Sequence, residues 1–138
     1  MIEPVKANWD IQWSYSTALS SPSFNTPYWV QDFISINNHA GVKVATISKA
    51  NATEAAAAYD SFTEANLAGL EFVGDRDVIG AKWRSTQPAT GVFHERFYII
   101  RDANENYYKL KFKNMGVGGD GGERGRPVIQ YELVQQAD

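Results

Sequence analysis

The chain has 138 residues, 43% of them apolar, with a formal net charge of −3 and no cysteine. This size supports one domain, residues 1–138, with a core that needs no disulfide or structural metal. The absence of cysteine excludes thiolate zinc sites and thiol nucleophiles. Lysine and arginine are scattered rather than gathered in a basic stripe, so we expect no nucleic-acid partner.

The first part of the chain predicts a strand followed by a loop. Trp9, Ile11, Trp13 and Tyr15 are separated by polar residues, which is the period of a half-buried strand. Residues 19–27 are rich in serine, asparagine and proline. We therefore expect them to connect this strand to the next one.

A hairpin is predicted in the segment that follows. Ile34 and Ile36 begin an apolar alternation that breaks at residues 37–41 and resumes at Val42. A break that contains glycine favours a tight turn between antiparallel strands. We expect the two halves to pair with each other.

One short helical insert interrupts the strands. Asn51 precedes the alanine-rich residues 52–60; Asn is a favoured N-cap, and Ala has the highest helix propensity. Ser61 and Glu64 match a capping box for a second helical turn that ends near Gly69. The predicted fold is therefore mostly β, a single antiparallel domain with one short helical insert.

Strand patterns dominate the C-terminal half. Lys109, Lys111 and Lys113 share one face of a predicted strand, and such a row is expected to be solvated or to protect an edge. The predicted elements are strands at residues 92–101, 108–112 and 129–133, a polar turn at 102–106 and a glycine-rich loop at 116–125.

Two motifs lack the context that their ligands require. Residues 116–121 satisfy G-x-G-x-x-G, but no helix follows to face a pyrophosphate, so we expect a mobile hairpin loop. Asp102 opens a calcium-loop spacing. Tyr107 then stands where glycine is required, and Lys113 stands where a bidentate glutamate is required. A turn built by Asx side chains explains this segment.

The two histidines are the candidate metal ligands. His94 falls in a predicted strand and is expected to be half-buried, whereas His39 falls in a predicted turn and is expected to be exposed. Neither belongs to a metal or nucleophile motif. We therefore expect a protein that is not an enzyme.

Several aromatic and glycine-rich stretches, in their order and spacing, resemble the HmuY family of Bacteroidetes. Known members of that family are cell-surface lipoproteins that capture haem. The likeness spans nearly the whole chain, and its strongest part lies in the C-terminal half. The stretches are residues 9–13, 29–33, 79–84, 96–102, 107–112, 121–127 and 131–133.

The resemblance implies a non-catalytic domain that binds haem or another porphyrin for iron acquisition. It also implies an extracytoplasmic location at the outer membrane, with a lipid tether attached upstream of Met1. The domain would hand its ligand to an outer-membrane transporter. Relatives hold haem between two histidines or methionines, side chains that bind haem iron and set its potential.

The axial positions of the family correspond to residues 60–78 and 84–90, and neither segment contains histidine or methionine. The candidates for a haem site therefore lie elsewhere, together with aromatic rings that stack on a porphyrin. They are His39, His94 and Met115 as axial ligands, and Trp29, Trp83, Tyr98 and Tyr107 as stacking rings.

An alternative keeps the fold and changes the cargo. On this hypothesis the domain is a carbohydrate- or protein-binding surface module that has lost haem ligation. Two side chains that face each other across a haem-sized slot, with a metal ligand among them, favour haem. A shallow aromatic groove with amide and carboxylate groups favours sugar.

Overall fold

A computed structural model describes residues 8–19 and 26–138. With 43% strand and 12% helix, it confirms the mostly β fold with antiparallel sheets and one α-helix. No helix in the described part of the chain is long and apolar enough to cross a membrane. The elements are β1 (Ile11–Leu19), β2 (Pro27–Ile36), β3 (Lys43–Ser48), α1 (Ala52–Asp60), β4 (Arg84–Ser85), β5 (Gly91–Val92), β6 (Arg96–Arg101), β7 (Tyr107–Asn114) and β8 (Val128–Gln135).

The main sheet has four strands in the order β3-β6-β7-β8. In strand β6, apolar residues stand at both odd and even positions, so both faces of the strand are buried. Phe97 and Ile99 pack against α1, while Tyr98 and Ile100 join a second cluster with residues of β2. The sheet is therefore covered by α1 on one side and by the β1–β2 hairpin on the other.

The predicted hairpin between residues 34–36 and the strand after residue 41 is wrong. β2 pairs with β1, and β3 pairs with β6. A 3-10 turn at Asn38–Ala40 and the left-handed Gly41, with φ +86°, carry the chain from one sheet to the other. Ile34 and Val44 still share one core cluster. Their apolar pattern therefore reflects packing of β2 against the layer that contains β3, and not pairing of these two strands.

The helix begins and ends as its sequence predicts. The side chain of Asn51 accepts a hydrogen bond from the N–H of Glu54 at 2.9 Å, which satisfies one of the free donors at the helix start. Tyr59 anchors α1 to the sheet through an edge-on ring contact with Phe97. A second turn follows as predicted, but its capping box is formed by Thr63 and Asn66.

The lysine-bearing face of β7 lies under α1, which corrects the prediction of a solvated row at Lys109, whereas Lys113 is exposed as predicted. Lys109 is only 5% exposed. Its ammonium group donates to the main-chain oxygen of Tyr59 at 2.8 Å and lies 3.5 Å from the Glu132 carboxylate. Burying a charge costs free energy unless the charge is paired and hydrogen-bonded. These two partners explain how Lys109 is accommodated.

The glycine-rich loop is organised around one carboxylate, where the sequence predicted a mobile loop. Asp120 accepts hydrogen bonds from the N–H groups of Met115, Gly116 and Gly122, at 2.8–3.1 Å. At Gly91, a Cβ atom would lie 2.6 Å from the main-chain oxygen of Val117. The loop therefore packs closely against the start of β5.

We predict that Asp120→Asn lowers the melting temperature and weakens its dependence on acid pH. The N–H of Met115, followed by that of Gly122, lowers the pKa of Asp120 below its ordinary value of 3.8. The ionised side chain therefore adds stability above pH 3.8, and this stability is lost as the pH falls toward the lower folded pKa. Thermal unfolding followed by circular dichroism between pH 7 and pH 2.5 measures the effect.

The matched control for this prediction is Asp75→Asn. Asp75 is exposed, so its replacement is expected to leave the melting temperature nearly unchanged. Identical unfolding curves for the two variants at every pH would contradict the structural role of Asp120.

Candidate functional site

Three of the sequence candidates belong to the core. Trp83, Tyr98 and Met115 are each at most 1% exposed, and Trp83 stacks on Phe112 with 4.3 Å between ring centroids. Burial raises the pKa of Tyr98 to about 12. In this structure these three side chains fill the space between the sheet and the hairpin and present no surface to a ligand.

Both histidines are exposed, and they lie far apart. His39 is in the 3-10 turn after β2. His94 is in the turn between β5 and β6, which corrects its prediction as a half-buried strand residue. The two turns flank opposite ends of the β3–β6 pair, whose strands extend over about 17 Å. Two axial ligands must meet at one iron, so this structure does not bring the histidines together.

Metal-binding side chains are not clustered in residues 8–19 and 26–138. No group of three or more His, Cys, Asp or Glu residues there is placed to hold a metal ion. The role of His39 and His94 as ligands stays a prediction from sequence. A ligand site must therefore be sought from surface shape and charge.

A groove along the β1–β2 hairpin has the shape and the charge of a candidate ligand site. It consists of two adjoining cavities of about 420 and 660 Å³ that share Gln31, Asp32 and Arg124, within the size range of small-molecule sites. We name it the hairpin groove. Its other lining residues include Trp13, Ser14 and Tyr15 in the smaller cavity and Tyr28, Trp29, Arg84, Ser85, Thr86 and Gln87 in the larger one.

A β-bulge forms the floor of the hairpin groove. Between the pairs Ser14–Phe33 and Ser16–Val30, β1 supplies one residue and β2 supplies two. Asp32 is one of these two and has φ +52°, a left-handed conformation that aspartate tolerates better than most residues. The bulge changes the direction in which the Asp32 side chain points.

Asp32 connects three segments that are distant in the sequence. Its carboxylate accepts hydrogen bonds from the indole N–H of Trp13 at 3.0 Å and from the Arg124 guanidinium at 2.8 Å. Its main-chain oxygen accepts the indole N–H of Trp83 at 3.0 Å. The side chain is 6% exposed, and charge-assisted bonds of this kind are among the stronger hydrogen bonds. Asp32 thus holds β1, β2 and the loop before β8 in register.

Arg84 supplies a second guanidinium to the hairpin groove. It donates to the main-chain oxygen of Gln31, and its buried Nε has no hydrogen-bond partner among the described residues. Burial lowers the pKa of Arg84; Asp32 opposes this change and Arg124 adds to it. Two guanidinium groups against one carboxylate leave the groove positive. Arginine binds planar carboxylates through paired hydrogen bonds, so this groove favours an acidic ligand.

The walls of the hairpin groove carry exposed aromatic rings. Trp29 is 73% exposed and Tyr15 is 64% exposed, and Trp13 and Tyr28 are also exposed. Exposed rings of this size, gathered in one place, mark interaction sites more often than core defects. Flat rings beside guanidinium groups are suited to a flat, acidic molecule.

Sequence reasoning found only part of this site. It nominated Trp29 as a stacking ring, but it used Trp13 and Tyr15 only as evidence for a half-buried strand. Arg84 and Arg124 stand in polar stretches with no motif, and Asp32 interrupts a strand without a turn signal. The short polar run after Trp83 was the available signal for a ligand-facing loop.

We predict that Asp32→Ala destabilises the fold by about 1–3 kcal/mol, because alanine is unfavourable in the left-handed conformation and two partly exposed donors lose their charged acceptor. Asp32→Asn retains a side-chain oxygen and the backbone tolerance, so we expect about half of that loss. Urea unfolding monitored by tryptophan fluorescence measures both changes. An unfolding midpoint for Asp32→Ala equal to that of the unmodified chain would show that Asp32 does not organise the groove.

Comparison with known proteins shows which family the chain matches. A family model described as HmuY protein matches residues 6–131. No curated protein and no solved structure gave a significant match. The match contains every described residue of the hairpin groove.

Proposed function

The chain belongs to the HmuY family, and from this premise we propose that it is a non-catalytic, haem- or porphyrin-binding domain of a surface lipoprotein. The observation that supports this most is the pairing of two guanidinium groups with exposed indole rings in the hairpin groove. A porphyrin carries a flat aromatic ring and acidic propionates, and the groove offers a partner for each.

The proposed binding mode uses stacking and charge. Trp29 and Trp13 contact the faces or edges of the ring, and Arg84 and Arg124 bind the propionates. The Arg84 guanidinium lines the larger cavity and is suited to a carboxylate oxygen. Among the described residues that line the groove there is no histidine or methionine. We therefore expect binding without an axial bond from either residue type, so that iron-free porphyrin binds about as well as haem.

Family membership supports the rest of the proposal. The domain is held outside the cell by a lipid tether at the outer membrane and passes its ligand to a transporter there. A ligand held by stacking and ion pairs, without a bond to iron, is released when these contacts are exchanged for those of a partner. This mode suits transfer better than tight axial ligation.

A second candidate function is binding of an acidic carbohydrate. The larger cavity is lined by amide and hydroxyl groups of Gln31, Ser85, Thr86 and Gln87. Such groups hydrogen-bond sugar hydroxyls, while an exposed indole ring packs on the apolar face of a pyranose. The two arginines then favour a uronic acid or a sulfated sugar.

We predict that ferric haem and protoporphyrin IX bind with affinities within about threefold of each other, and that Trp29→Ala and Arg84→Gln each weaken both about tenfold, or 1.4 kcal/mol. Quenching of tryptophan fluorescence and the change in the Soret band measure binding. Trp29 is largely exposed, so its replacement is expected to leave folding intact.

The control variants are Tyr131→Ala, which removes an exposed ring on β8, and Arg126→Gln, which removes an exposed arginine of the same loop as Arg124. Neither is expected to change porphyrin affinity. Haem-only binding with a Soret band that is lost in His39→Ala or His94→Ala would contradict the stacking mode and establish axial ligation. Failure of both porphyrins, with saturable binding of an acidic glycan, would instead support the second candidate.

A further inference from the structure

The two edges of the four-stranded sheet differ in how they are covered. At β3, Val44 exchanges main-chain hydrogen bonds with Val73, at 2.9 and 3.0 Å, so part of this edge is paired. At β8, strand pairing in the described part of the chain is limited to β7. Every second residue of an edge strand directs its N–H and C=O groups away from the sheet. β8 therefore offers main-chain groups to a further strand.

The sequence of β8 lacks the features that usually protect an edge strand. Val128–Gln135 contains no lysine, arginine or proline, and its one charged side chain, Glu132, is paired with Lys109 of β7. Natural edge strands are often protected by lysine, by proline or by a covering loop. β8 instead carries three exposed apolar side chains on one face, those of Ile129, Tyr131 and Leu133. An exposed apolar edge of this length is suited to pairing with another chain.

The apolar row of β8 continues into a groove on the hairpin side of the sheet. Ile129 and Tyr131 line a cavity of about 380 Å³ together with Trp9, Ile11 and Leu110. Leu110 lies opposite Tyr131 in the sheet and belongs to the buried core. The exposed apolar surface is therefore contiguous with the core, and a contiguous surface of this kind marks an interaction site.

We propose that β8 pairs with β8 of a second copy of this chain, in an antiparallel register centred on Tyr131. The two sheets then form one continuous sheet across both copies. This inference goes beyond the proposed function, because no residue of β8 lines the hairpin groove.

The regular part of β8 is self-complementary about its centre. Irregularities interrupt its pairing with β7 before Ile129 and after Leu133, which leaves residues 129–133 as a regular span with Tyr131 in the middle. A two-fold axis between antiparallel copies of one strand places one residue opposite itself. With Tyr131 at the axis, Ile129 lies opposite Leu133 of the second copy, and Gln130 lies opposite Glu132 of the second copy.

The side-chain pairs favour this register over its neighbours. Apolar residues meet on the face that carries the groove, and on the other face the Gln130 amide faces the Glu132 carboxylate of the second copy as a hydrogen-bond donor. A register centred on Glu132 places two carboxylates opposite each other, which is unfavourable. A register centred on Ile129 places Pro127 opposite Tyr131, and proline has no N–H to donate. The register centred on Tyr131 avoids both.

Sedimentation velocity of the whole chain between about 1 and about 500 µM tests self-association. We expect a reversible rise of the average mass from the 15.4 kDa of the monomer toward that of a dimer, with a Kd of about 10–100 µM because a single strand pair forms a small interface. Tyr131→Lys places two positive charges at the axis and is expected to raise this Kd at least about tenfold. The matched control is Thr46→Lys, at an exposed residue of β3, which is expected to leave the Kd unchanged.

Cysteine variants test the register, since the chain has no cysteine of its own. Opposite residues of antiparallel strands have Cα atoms about 4.5–5.5 Å apart, a separation that a disulfide spans. Tyr131→Cys is therefore expected to form a covalent dimer under mild oxidation. Ile129→Cys and Leu133→Cys are each expected to remain monomeric alone and to cross-link with each other when mixed.

A chain that stays monomeric over the whole concentration range would overturn the proposal, and the exposed row would then belong to a different partner. Equal self-association of Tyr131→Lys and the unmodified chain would also overturn it, as would equal cross-linking of Tyr131→Cys and Leu133→Cys alone. Porphyrin titration of Tyr131→Lys provides the internal comparison. Its porphyrin affinity is expected to be unchanged, so failure at β8 is distinguishable from failure of the hairpin groove.

Discussion

The buried carboxylate of Asp32 is the constraint on which the architecture of the hairpin side depends. The carboxylate and the main-chain oxygen of this residue together accept two indole N–H groups and one guanidinium group. A buried polar group without a partner costs free energy, so these donors and their acceptors hold one another in place. Because each donor lies on a different segment, the network sets the distance between β1, the segment just before β4 and the loop before β8. The hairpin groove exists because these segments meet at one residue.

The two faces of the main sheet are used differently. On the hairpin side, Trp83, Phe112 and Met115 are buried in the core, and the hairpin groove lies outside this core, on the surface of the hairpin. On the other side, the alanines of α1 leave the packing incomplete and a small basic cleft remains. β6 separates the two because both of its faces are apolar.

Particular residues show how far pattern reasoning reaches. The alternation from Trp9 to Tyr15 correctly predicted β1, but it did not show that Trp13 and Tyr15 are exposed. The alternating lysines of β7 correctly predicted a strand, yet Lys109 is buried because α1 covers that face. Trp83, Tyr98 and Met115 were considered as ligand contacts, and all three lie in the core. Periodicity states which side chains share a face, but it does not state what packs on that face.

By itself, the sequence determined the mostly β class, the helix at residues 52–60, the order of the C-terminal strands and the resemblance that the family match confirms. These features depend on local propensity and on side-chain period, which neighbouring residues specify. The tertiary structure alone decided that β2 pairs with β1, that Lys109 is buried, and that Arg124 meets Asp32 across 92 positions of the chain. Contacts of that range arise when whole elements pack and buried polar groups find partners, and no local pattern encodes which partner will be near.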